Sequence, residues 1–282
     1  MRLLVAGAAG MLGRDVVAAA RSRGHECVGL DRAQLDVTDA RAVEAAIADA
    51  APAVVVNCAG WTDVDGAESN EQAALAVNGA GAANLARAAL AAGAQLLQIS
   101  TDYVFDGSAR RPYVESDPTG PRSAYGRTKL AGEQAVLAAS PDHLVVRTAW
   151  LFGQGGRNFA ATMLALAASG RDEVAVVTDQ IGCPTFTGHL AEKLLDLAAQ
   201  RRRGILHEAA TGRCSWNAFA QAVFAAAGLD VRVTPTTSDA LARPAPRPAW
   251  SVLASERDPE PMPAWQEGLA AYLALAPIAV AQ

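Results

Sequence analysis

The chain has 282 residues, of which 51% are hydrophobic and 19% are charged, and its formal net charge is -5 at pH 7. This length and composition are typical of an ordered globular protein with one large α/β domain, or with a main domain and a smaller lobe. The acidic balance disfavours nucleic acid as a partner. No apolar run is long enough to span a membrane or to form a signal peptide, so we expect a cytoplasmic protein.

The four cysteines are scattered along the sequence. Neither the spacing of zinc ligands nor the density of a disulfide framework is found among Cys27, Cys58, Cys183 and Cys214. We therefore expect buried free thiols and no metal site built from cysteine.

The first half of the chain alternates short apolar runs with alanine-rich helical segments. Strands are predicted at residues 2–6, 26–30, 53–57, 95–100 and 144–148. Helices are predicted between them at residues 12–23, 40–49, 71–92 and 124–139. Right-handed crossovers would assemble these elements into a Rossmann-type doubly wound parallel sheet, which binds ligands beyond the carboxyl ends of its strands.

After residue 150 the alternation becomes less regular, which predicts a smaller α/β lobe. Helices are predicted at residues 158–168, 187–200 and 216–227, and a strand at 174–177. We assign residues 1–150, with roughly 174–205, to a dinucleotide-binding domain, and roughly 151–173 with 206–282 to a substrate-binding lobe. The proline-rich segment 243–248 predicts extended backbone, either as a linker or as the rim of a pocket.

Three glycines with the spacing GxxGxxG lie between the first predicted strand and the first predicted helix. Glycine permits a tight turn and a close approach of a pyrophosphate, and the helix N-terminus supplies amides and a positive dipole end. The position directly after the first strand therefore predicts a dinucleotide-binding turn. Its predicted cofactor contacts are Gly7, Gly10, Met11, Leu12 and Gly13.

Further cofactor contacts are predicted after the second and third strands. Asp31 could accept a hydrogen bond from the adenosine ribose, which favours NAD, whereas Arg32 could pair with a 2′-phosphate, which favours NADP. The choice between NADPH and NADH stays open. Other residues of these loops could flank the adenine or the nicotinamide, or could serve only as ordinary turn residues. They are Asp36, Val37, Ala59, Gly60 and Trp61.

A tyrosine, a lysine and a threonine form the predicted catalytic group. Tyr125 and Lys129 share one face of a predicted helix, and Thr101 ends the preceding strand. Lys129 is one of only two lysines in the chain, which argues against a chance pairing with Tyr125. We expect Lys129 to hold the nicotinamide ribose and to lower the pKa of Tyr125, which donates a proton to a carbonyl oxygen that Thr101 hydrogen-bonds. The alternative is a surface lysine beside a packing tyrosine.

These motifs resemble the extended short-chain dehydrogenase/reductase family, and within it the dTDP-4-dehydrorhamnose reductases. The resemblance covers nearly the whole chain and is strongest at residues 100–107 (STDYVFDG), 125–129 (YGRTK), 147–153 (RTAWLFG), 179–185 (DQIGCPT) and 247–253 (RPAWSVL). It implies reduction of the 4-keto group of dTDP-4-dehydro-L-rhamnose to dTDP-L-rhamnose by NADPH or NADH, with Tyr125 as the proton donor.

The resemblance also implies residue roles. Ile99, Tyr125 and Lys129 would contact the cofactor. The dTDP-sugar would contact Thr101, Asp102, Tyr125, Trp150, Asn158 and Arg247. For Arg247 a nucleotide phosphate and an ion pair between lobes are both left open. Because some family members bind magnesium at a dimer interface, a homodimer and Mg²⁺ are left open too, although no ligand positions can be placed in this sequence.

Two other functions compete with this interpretation. One is another nucleotide-sugar enzyme of the same fold, such as a 4-ketoreductase of deoxysugar biosynthesis, an epimerase or a dehydratase. The other is a non-catalytic regulatory subunit, because one such subunit resembles this family. The intact set of Thr101, Tyr125 and Lys129 argues against a loss of chemistry.

Overall fold

A computed structural model describes residues 1–275 of the chain. The strands are β1 (Arg2–Ala6), β2 (Glu26–Leu30), β3 (Val54–Asn57), β4 (Gln95–Thr101), β5 (Leu144–Thr148), β6 (Leu151–Phe152), β7 (Glu173–Val177), β8 (Ile181–Gly182), β9 (Thr185–Phe186), β10 (Gly204–His207), β11 (Ala210–Thr211), β12 (Cys214–Ser215), β13 (Arg232–Thr236) and β14 (Met262–Ala264). The helices are α1 (Met11–Ser22), α2 (Ala40–Ala50), α3 (Val64–Ser69), α4 (Glu71–Leu75), α5 (Ala82–Ala91), α6 (Ala124–Ala139), α7 (Phe159–Ala168), α8 (Thr187–Ala199), α9 (Trp216–Ala226), α10 (Ser238–Leu241) and α11 (Trp265–Leu275).

Six parallel strands form the central sheet in the order β10-β5-β4-β3-β1-β2. The inner strands β3, β4 and β5 are buried along their whole length. Their apolar runs suit a parallel sheet, which helices cover on both faces. The predicted Rossmann-type doubly wound sheet is confirmed, and β1, β2 and β5 have the predicted bounds.

Alternate residues of each strand point into two separate cores. Leu3 and Val5 pack with residues of α1 and α8 on one face. Leu4 packs with residues of α2, α5 and α6 on the other face. Because α6 covers β4 and β5, the sheet fixes the predicted Tyr125 helix against the strand that carries Thr101.

A third core, rich in aromatic residues, lies in the second half of the chain. It joins residues of α7, α9 and α11 with Phe152 of β6 and Phe186 of β9. The predicted division into a dinucleotide-binding domain and a smaller lobe stays a prediction. Residues 276–282 of the predicted lobe lie outside the described part of the chain. The division counts residues 174–177 with the dinucleotide-binding domain, but they belong to β7, which pairs with β13 and packs in this third core.

The predicted single helix over residues 71–92 is wrong. The structure has α4, a π-helical segment (Ala76–Gly81) and α5 in its place. Alanine-rich sequence has the same pattern in either kind of helix, whereas the π-helical turn adds one residue and redirects the side chains around it. It directs Asn78 into the interior, where only 3% of that residue is exposed.

Two further expectations concern the membrane and the cysteines. Among residues 1–275, no helix has both the length and the apolar character that crossing a bilayer requires. All four cysteines are free thiols, as predicted; Cys183 and Cys214 are buried, while Cys27 and Cys58 are only half-buried.

Glu208, the residue after β10, is a buried carboxyl group that is only 2% exposed. Its neighbour is the Asp258 carboxylate, which forms an ion pair with Lys193 at 3.0 Å between Oδ2 and Nζ. Burial raises the pKa of Glu208 to about 8. The native protein therefore holds this proton at neutral pH, whereas the unfolded chain has released it.

We predict that Glu208→Gln removes a pH-dependent loss of stability. Between the ordinary glutamate pKa and about pH 8 the native state binds more protons than the unfolded state, so the free energy of unfolding falls as the pH rises through this window. From about pH 5.5 to about pH 7.5, wild type should lose about 2 kcal/mol relative to Glu208→Gln in urea titrations. Glu260→Gln, at an exposed carboxylate nearby, should follow wild type. Parallel curves for wild type and Glu208→Gln would contradict the assignment.

Candidate active site

The glycine turn between β1 and α1 is built so that two of its positions accept no side chain. Gly7 has a φ of +76°, and a Cβ there would lie 2.6 Å from the Ala59 nitrogen. A Cβ on Gly13 would lie 2.3 Å from the Gly7 oxygen. Gly10 is the N-cap of α1 and makes no side-chain cap. These contacts explain the glycine spacing and leave the amides at the start of α1 available to an anion.

The two other predicted residues of this turn, Met11 and Leu12, differ in which of their atoms can contact a cofactor. Leu12 is buried in the first core. Met11 is half-buried, and its sulfur lies 3.6 Å from the Asn158 amide nitrogen. Leu12 can therefore contact a cofactor through its backbone, and Met11 through its side chain as well.

The loop after β2 uses its two predicted acidic residues in its own turns. Asp31 accepts hydrogen bonds from the amides of Ala33 and Gln34 at 2.9 and 3.1 Å. Asp36 accepts from the amide and hydroxyl of Thr38, which lowers its pKa. These bonds show that both residues stabilise turns, which was the alternative interpretation for Asp36, and the predicted cofactor contacts of both stay predictions.

The two other predicted residues of this loop differ in exposure. Arg32 is exposed, whereas Val37 belongs to the second core. Because Arg32 and Asp31 stand side by side here, the choice between NADPH and NADH stays open.

The loop after β3 lies directly beside the predicted catalytic lysine. A Cβ on Gly60 would lie 3.9 Å from Lys129 Nζ and 3.2 Å from the Asn78 Oδ1. The Ala59 amide donates to Asn57 Oδ1 at 3.0 Å, which fixes the start of the loop. The structure therefore places Gly60 beside Lys129, while Trp61 packs in a cluster with Tyr125 and Ala59 packs on the second core.

Asn78 is a residue of this site that the sequence analysis does not identify. Its Oδ1 accepts a hydrogen bond from the Trp61 amide at 2.8 Å, and its Nδ2 donates to the Thr128 hydroxyl at 3.0 Å. Nδ2 also lies 3.2 Å from the Trp61 carbonyl oxygen. Asn78 thereby joins the loop after β3 to α6 next to Lys129. An asparagine followed by glycine in an alanine-rich segment is the only signal for this role in the sequence.

The three predicted catalytic residues converge at the carboxyl end of β4. Thr101 ends the strand, and its side chain lies close enough to the Tyr125 hydroxyl to act against the rise in the pKa of Tyr125 that burial causes. Thr101 Oγ1 also donates to Asp102 Oδ1 at 2.9 Å. Lys129 Nζ donates to the carbonyl oxygen of Ile99 on the same strand at 2.6 Å. One strand end and one helix face thus hold a phenol, an alcohol and an ammonium group together.

The electrostatics of this group differ from the sequence-based expectation. Burial raises the pKa of Tyr125 to about 12, although the nearby Thr101 side chain acts in the opposite direction. Burial also lowers the pKa of Lys129 to about 8. The expected lowering of the Tyr125 pKa by Lys129 is therefore wrong for this structure. The ammonium group is directed at the Ile99 carbonyl, and burial disfavours the phenolate more strongly than the surroundings stabilise it.

Asp102 places a buried carboxyl group next to Thr101. Burial raises its pKa to about 6, although the hydrogen bond from Thr101 and the nearby Ser251 side chain act in the opposite direction. Its Oδ2 is buried without a hydrogen-bond partner. The carboxyl group adjoins the Tyr125 hydroxyl closely enough to raise the pKa of Tyr125 further.

Trp150 follows β5 and has a strained backbone with a φ of +49°. Its ring stacks on Trp216, with centroids 3.5 Å apart and planes 2° from parallel. A Cβ on Gly182 would lie 2.3 Å from this indole, which shows how tightly the ring is held. The strain and the close packing fix the orientation of the ring.

Asn158 and Arg247, the two remaining predicted substrate contacts, are both occupied by protein groups. Asn158 caps α7 by accepting from the Ala161 amide, and its Nδ2 donates to the Gly153 carbonyl at 2.8 Å. Arg247 forms a two-point ion pair with Asp65, with Nη1–Oδ1 and Nη2–Oδ2 distances of 2.5 and 2.7 Å. Asn158 thus lies with Met11 beside the glycine turn, and Arg247 makes the ion pair that was one of its two predicted roles.

A buried ion pair ties α6 to the central sheet and so positions the catalytic group. Arg147 of β5 donates to both carboxylate oxygens of Glu133, from Nε to Oε1 at 2.9 Å and from Nη2 to Oε2 at 2.7 Å. Ser100 donates to the same carboxylate. At the start of α6, the Ala124 amide donates to Glu68 at 2.8 Å. These contacts orient the helix so that Tyr125 faces Thr101.

In residues 1–275 no group of three or more His, Cys, Asp or Glu side chains is arranged to hold a metal ion. The Mg²⁺ that the resemblance left open stays a prediction. Its binding between two copies of the chain stays untested.

Comparisons with known proteins agree with this arrangement. A family model described as the RmlD substrate binding domain matches residues 1–277. The dTDP-4-dehydrorhamnose reductase of Streptomyces griseus is 52% identical over 279 residues, which cover 95% of this chain and 91% of that protein. The chain belongs to the dTDP-4-dehydrorhamnose reductase family.

Two further similarities bear on the chemistry of the family. The crystal structure of the dTDP-4-dehydrorhamnose reductase from Bacillus anthracis in complex with NADP has a TM-score of 0.95 and 34% identity, covering 98% of this chain and 99% of that one. A probable dTDP-4,6-dihydroxy-2-methyloxan-3-one 4-ketoreductase of Streptomyces antibioticus is 48% identical, covering 91% of this chain and 88% of that one. The family fold thus holds a nicotinamide nucleotide in one relative, and its members include more than one 4-ketoreductase.

We predict that Asn78→Ala destabilises the protein by about 2 kcal/mol, because it leaves the Trp61 amide and the Thr128 hydroxyl without their buried partner. The free energy of unfolding in urea measures this loss. Asn70→Ala, which removes an exposed asparagine that caps α3, should cost clearly less. Equal losses in both variants would show that Asn78 has no special structural role.

Proposed function

We propose that the protein reduces the 4-keto group of dTDP-4-dehydro-L-rhamnose to dTDP-L-rhamnose with a reduced nicotinamide cofactor. The observation that carries this proposal is the convergence of Thr101, Tyr125 and Lys129 at the carboxyl end of β4. The glycine turn opens at the same edge of the sheet. The 52% identity to a reductase of this name supports the choice of substrate.

The residues present fit a nicotinamide nucleotide. Gly7 and Gly13 keep the turn free of side chains, and the amides at the start of α1 suit a pyrophosphate. The bound cofactor supplies the hydride. Lys129, beside the open backbone of Gly60, would hold the nicotinamide ribose, and Ile99 and the loop after β3 would line the same half of the site. Asp31, Arg32, Asp36 and Val37 stay predictions for the adenosine half.

Tyr125 supplies the proton in the direction of reduction. A phenol with a pKa of about 12 is fully protonated at neutral pH, so it can donate to the oxyanion that forms when the carbonyl carbon is reduced. Thr101 would orient the carbonyl oxygen through its hydroxyl, and Asp102, whose buried Oδ2 has no hydrogen-bond partner, stays a prediction as a contact to a neighbouring sugar hydroxyl. Trp150, Asn158 and Arg247 stay predictions as further substrate contacts.

A second candidate is the 4-ketoreductase reaction on a related deoxysugar nucleotide. It is favoured by the 48% identity to a probable 4-ketoreductase of Streptomyces antibioticus. Epimerases and dehydratases of this fold oxidise first and retain their cofactor, whereas a reductase must exchange it at each turnover. The nicotinamide content of the purified protein separates these classes.

The test supplies enzymatically made dTDP-4-keto-6-deoxy-L-sugar and follows the loss of nicotinamide absorbance with NADPH and with NADH. The product's stereochemistry at C4 then identifies the reaction. Formation of dTDP-L-rhamnose with consumption of the cofactor is the expected result. Failure with both cofactors, or tightly bound nicotinamide and no net reduction, would overturn the proposal.

We predict that Tyr125→Phe lowers turnover about 100-fold or more, because the general acid is lost. Binding of the reduced cofactor, followed by its fluorescence, should be unchanged, since the phenol ring remains. Tyr113→Phe is a suitable control, because the Tyr113 hydroxyl contacts Asp106 and lies outside the catalytic group. Near-full activity of Tyr125→Phe would remove Tyr125 from the mechanism.

Three further inferences about the whole protein stay predictions. The absence of a nucleic-acid partner is in keeping with the net charge of -5. A cytoplasmic location stays a prediction. A homodimer is suggested by the family resemblance. Sedimentation of the purified protein would measure its oligomeric state.

A further inference from the structure

Residues 245–251, here called the strap, cross the edge of the sheet where the catalytic group lies. A Cβ on Gly107 would lie 2.6 Å from the Pro248 Cα, so the strap packs directly on the loop after β4. Its Ala249 carbonyl accepts from the Ile181 amide at 2.9 Å, the Ser251 amide donates to the Ile181 carbonyl at 2.8 Å, and the Ser251 side chain lies near Asp102. The strap is thus one wall of the candidate active site.

Asp65 of α3 anchors the first part of the strap. Its carboxylate accepts both Nη groups of Arg247, and it accepts the Ala245 amide at 3.1 Å. The hydrogen bonds from Arg247 hold the pKa of Asp65 below its ordinary value. The Arg247 side chain is only 11% exposed, against 33% for Asp65. Three hydrogen bonds to one carboxylate fix both the backbone of the strap and the direction of the guanidinium group.

Arg247 lies next to the aromatic rings of the catalytic group. Its positive charge lies close enough to Tyr103 to act against the rise in the pKa of Tyr103 that burial causes, and the Tyr103 ring meets the Tyr125 ring edge-on with centroids 5.5 Å apart. The Nε of Arg247 takes no part in its bonds to Asp65 and Ala245. A guanidinium group held in this way keeps a positive charge at the edge of the catalytic site, and guanidinium geometry matches a phosphate group well.

Helix α3, which carries Asp65, also contacts α6, which carries Tyr125. Glu68 lies three residues after Asp65 on α3 and accepts the Ala124 amide at the start of α6. Ala67 packs against Ala124 in a small cluster that also includes Tyr125. Asp65 therefore connects the strap to a support that already positions Tyr125.

We infer that Asp65 is a positioning residue that presents Arg247 to the diphosphate of a nucleoside-diphosphate substrate. The inference rests on the proposed function, because it assigns the charged part of that substrate to Arg247. In this role Asp65 acts through Arg247 and not by its own contact with the substrate. Its removal should therefore weaken recognition of the diphosphate, while the chemical step and the binding of the nicotinamide cofactor continue.

The experiment compares Asp65→Asn with Glu71→Gln in the full-length protein. Glu71 forms a similar two-point ion pair with Arg127, at 2.8 and 2.7 Å, on the next helix and with no contact to the strap. Inhibition constants are measured for dTDP and for thymidine, together with kcat and KM for the keto sugar nucleotide. Thermal unfolding shows that both variants are folded.

Asp65→Asn should weaken dTDP binding and raise the KM of the sugar nucleotide about tenfold, with thymidine binding and kcat within about twofold of wild type. Glu71→Gln should leave all four values unchanged. The double variant Asp65→Asn with Arg247→Gln should bind dTDP no more weakly than Arg247→Gln alone, since Asp65 acts through Arg247.

Two results would overturn the inference. One is unchanged dTDP binding in Asp65→Asn, and the other is an equal loss of dTDP and thymidine binding, which indicates a general collapse of the strap. Failure of the proposed function has a different signature, because wild type itself would then not reduce the keto sugar. Wild-type reduction with an unaffected Asp65→Asn variant contradicts the inference alone.

Discussion

The candidate site depends on how α6 is held against the end of β4. Lys129 donates to the Ile99 carbonyl inside the protein, and one turn later Glu133 binds Arg147 and Ser100. An ion pair that is almost fully buried adds little net stability, but each partner needs the other in one geometry. We infer that the pair of Arg147 and Glu133 fixes the position of α6 along its own axis. With that position fixed, Tyr125 meets Thr101.

Burial then determines the charge states of the catalytic group. Burial favours the neutral phenol of Tyr125, and it makes the ammonium form of Lys129 easier to deprotonate. This combination suits a proton donor better than a base, because Tyr125 keeps its proton until a more basic oxyanion forms beside it. The buried carboxyl of Asp102 also raises the pKa of Tyr125. The site is thus arranged for reduction of a carbonyl.

Much of the fold could be predicted from the sequence, because β1, β5 and α6 are continuous patterns whose apolar periodicity matches one kind of element. The π-helical segment at Asn78 could not, since alanine-rich sequence does not distinguish a π-helical turn from an α-helical one. The pKa of Tyr125 was predicted in the wrong direction because burial depends on the whole fold. The pairing of Asp65 with Arg247 joins positions far apart in the chain, and no local pattern reveals it.

The central claim is that hydride passes from the cofactor to the carbonyl carbon at the end of β4. It is tested most directly by isotope transfer, with reduced nicotinamide cofactor that carries deuterium at the transferable C4 position, in ordinary water. The account predicts that the product sugar carries deuterium at its own C4, as measured by NMR. A product without deuterium at that carbon would contradict the account.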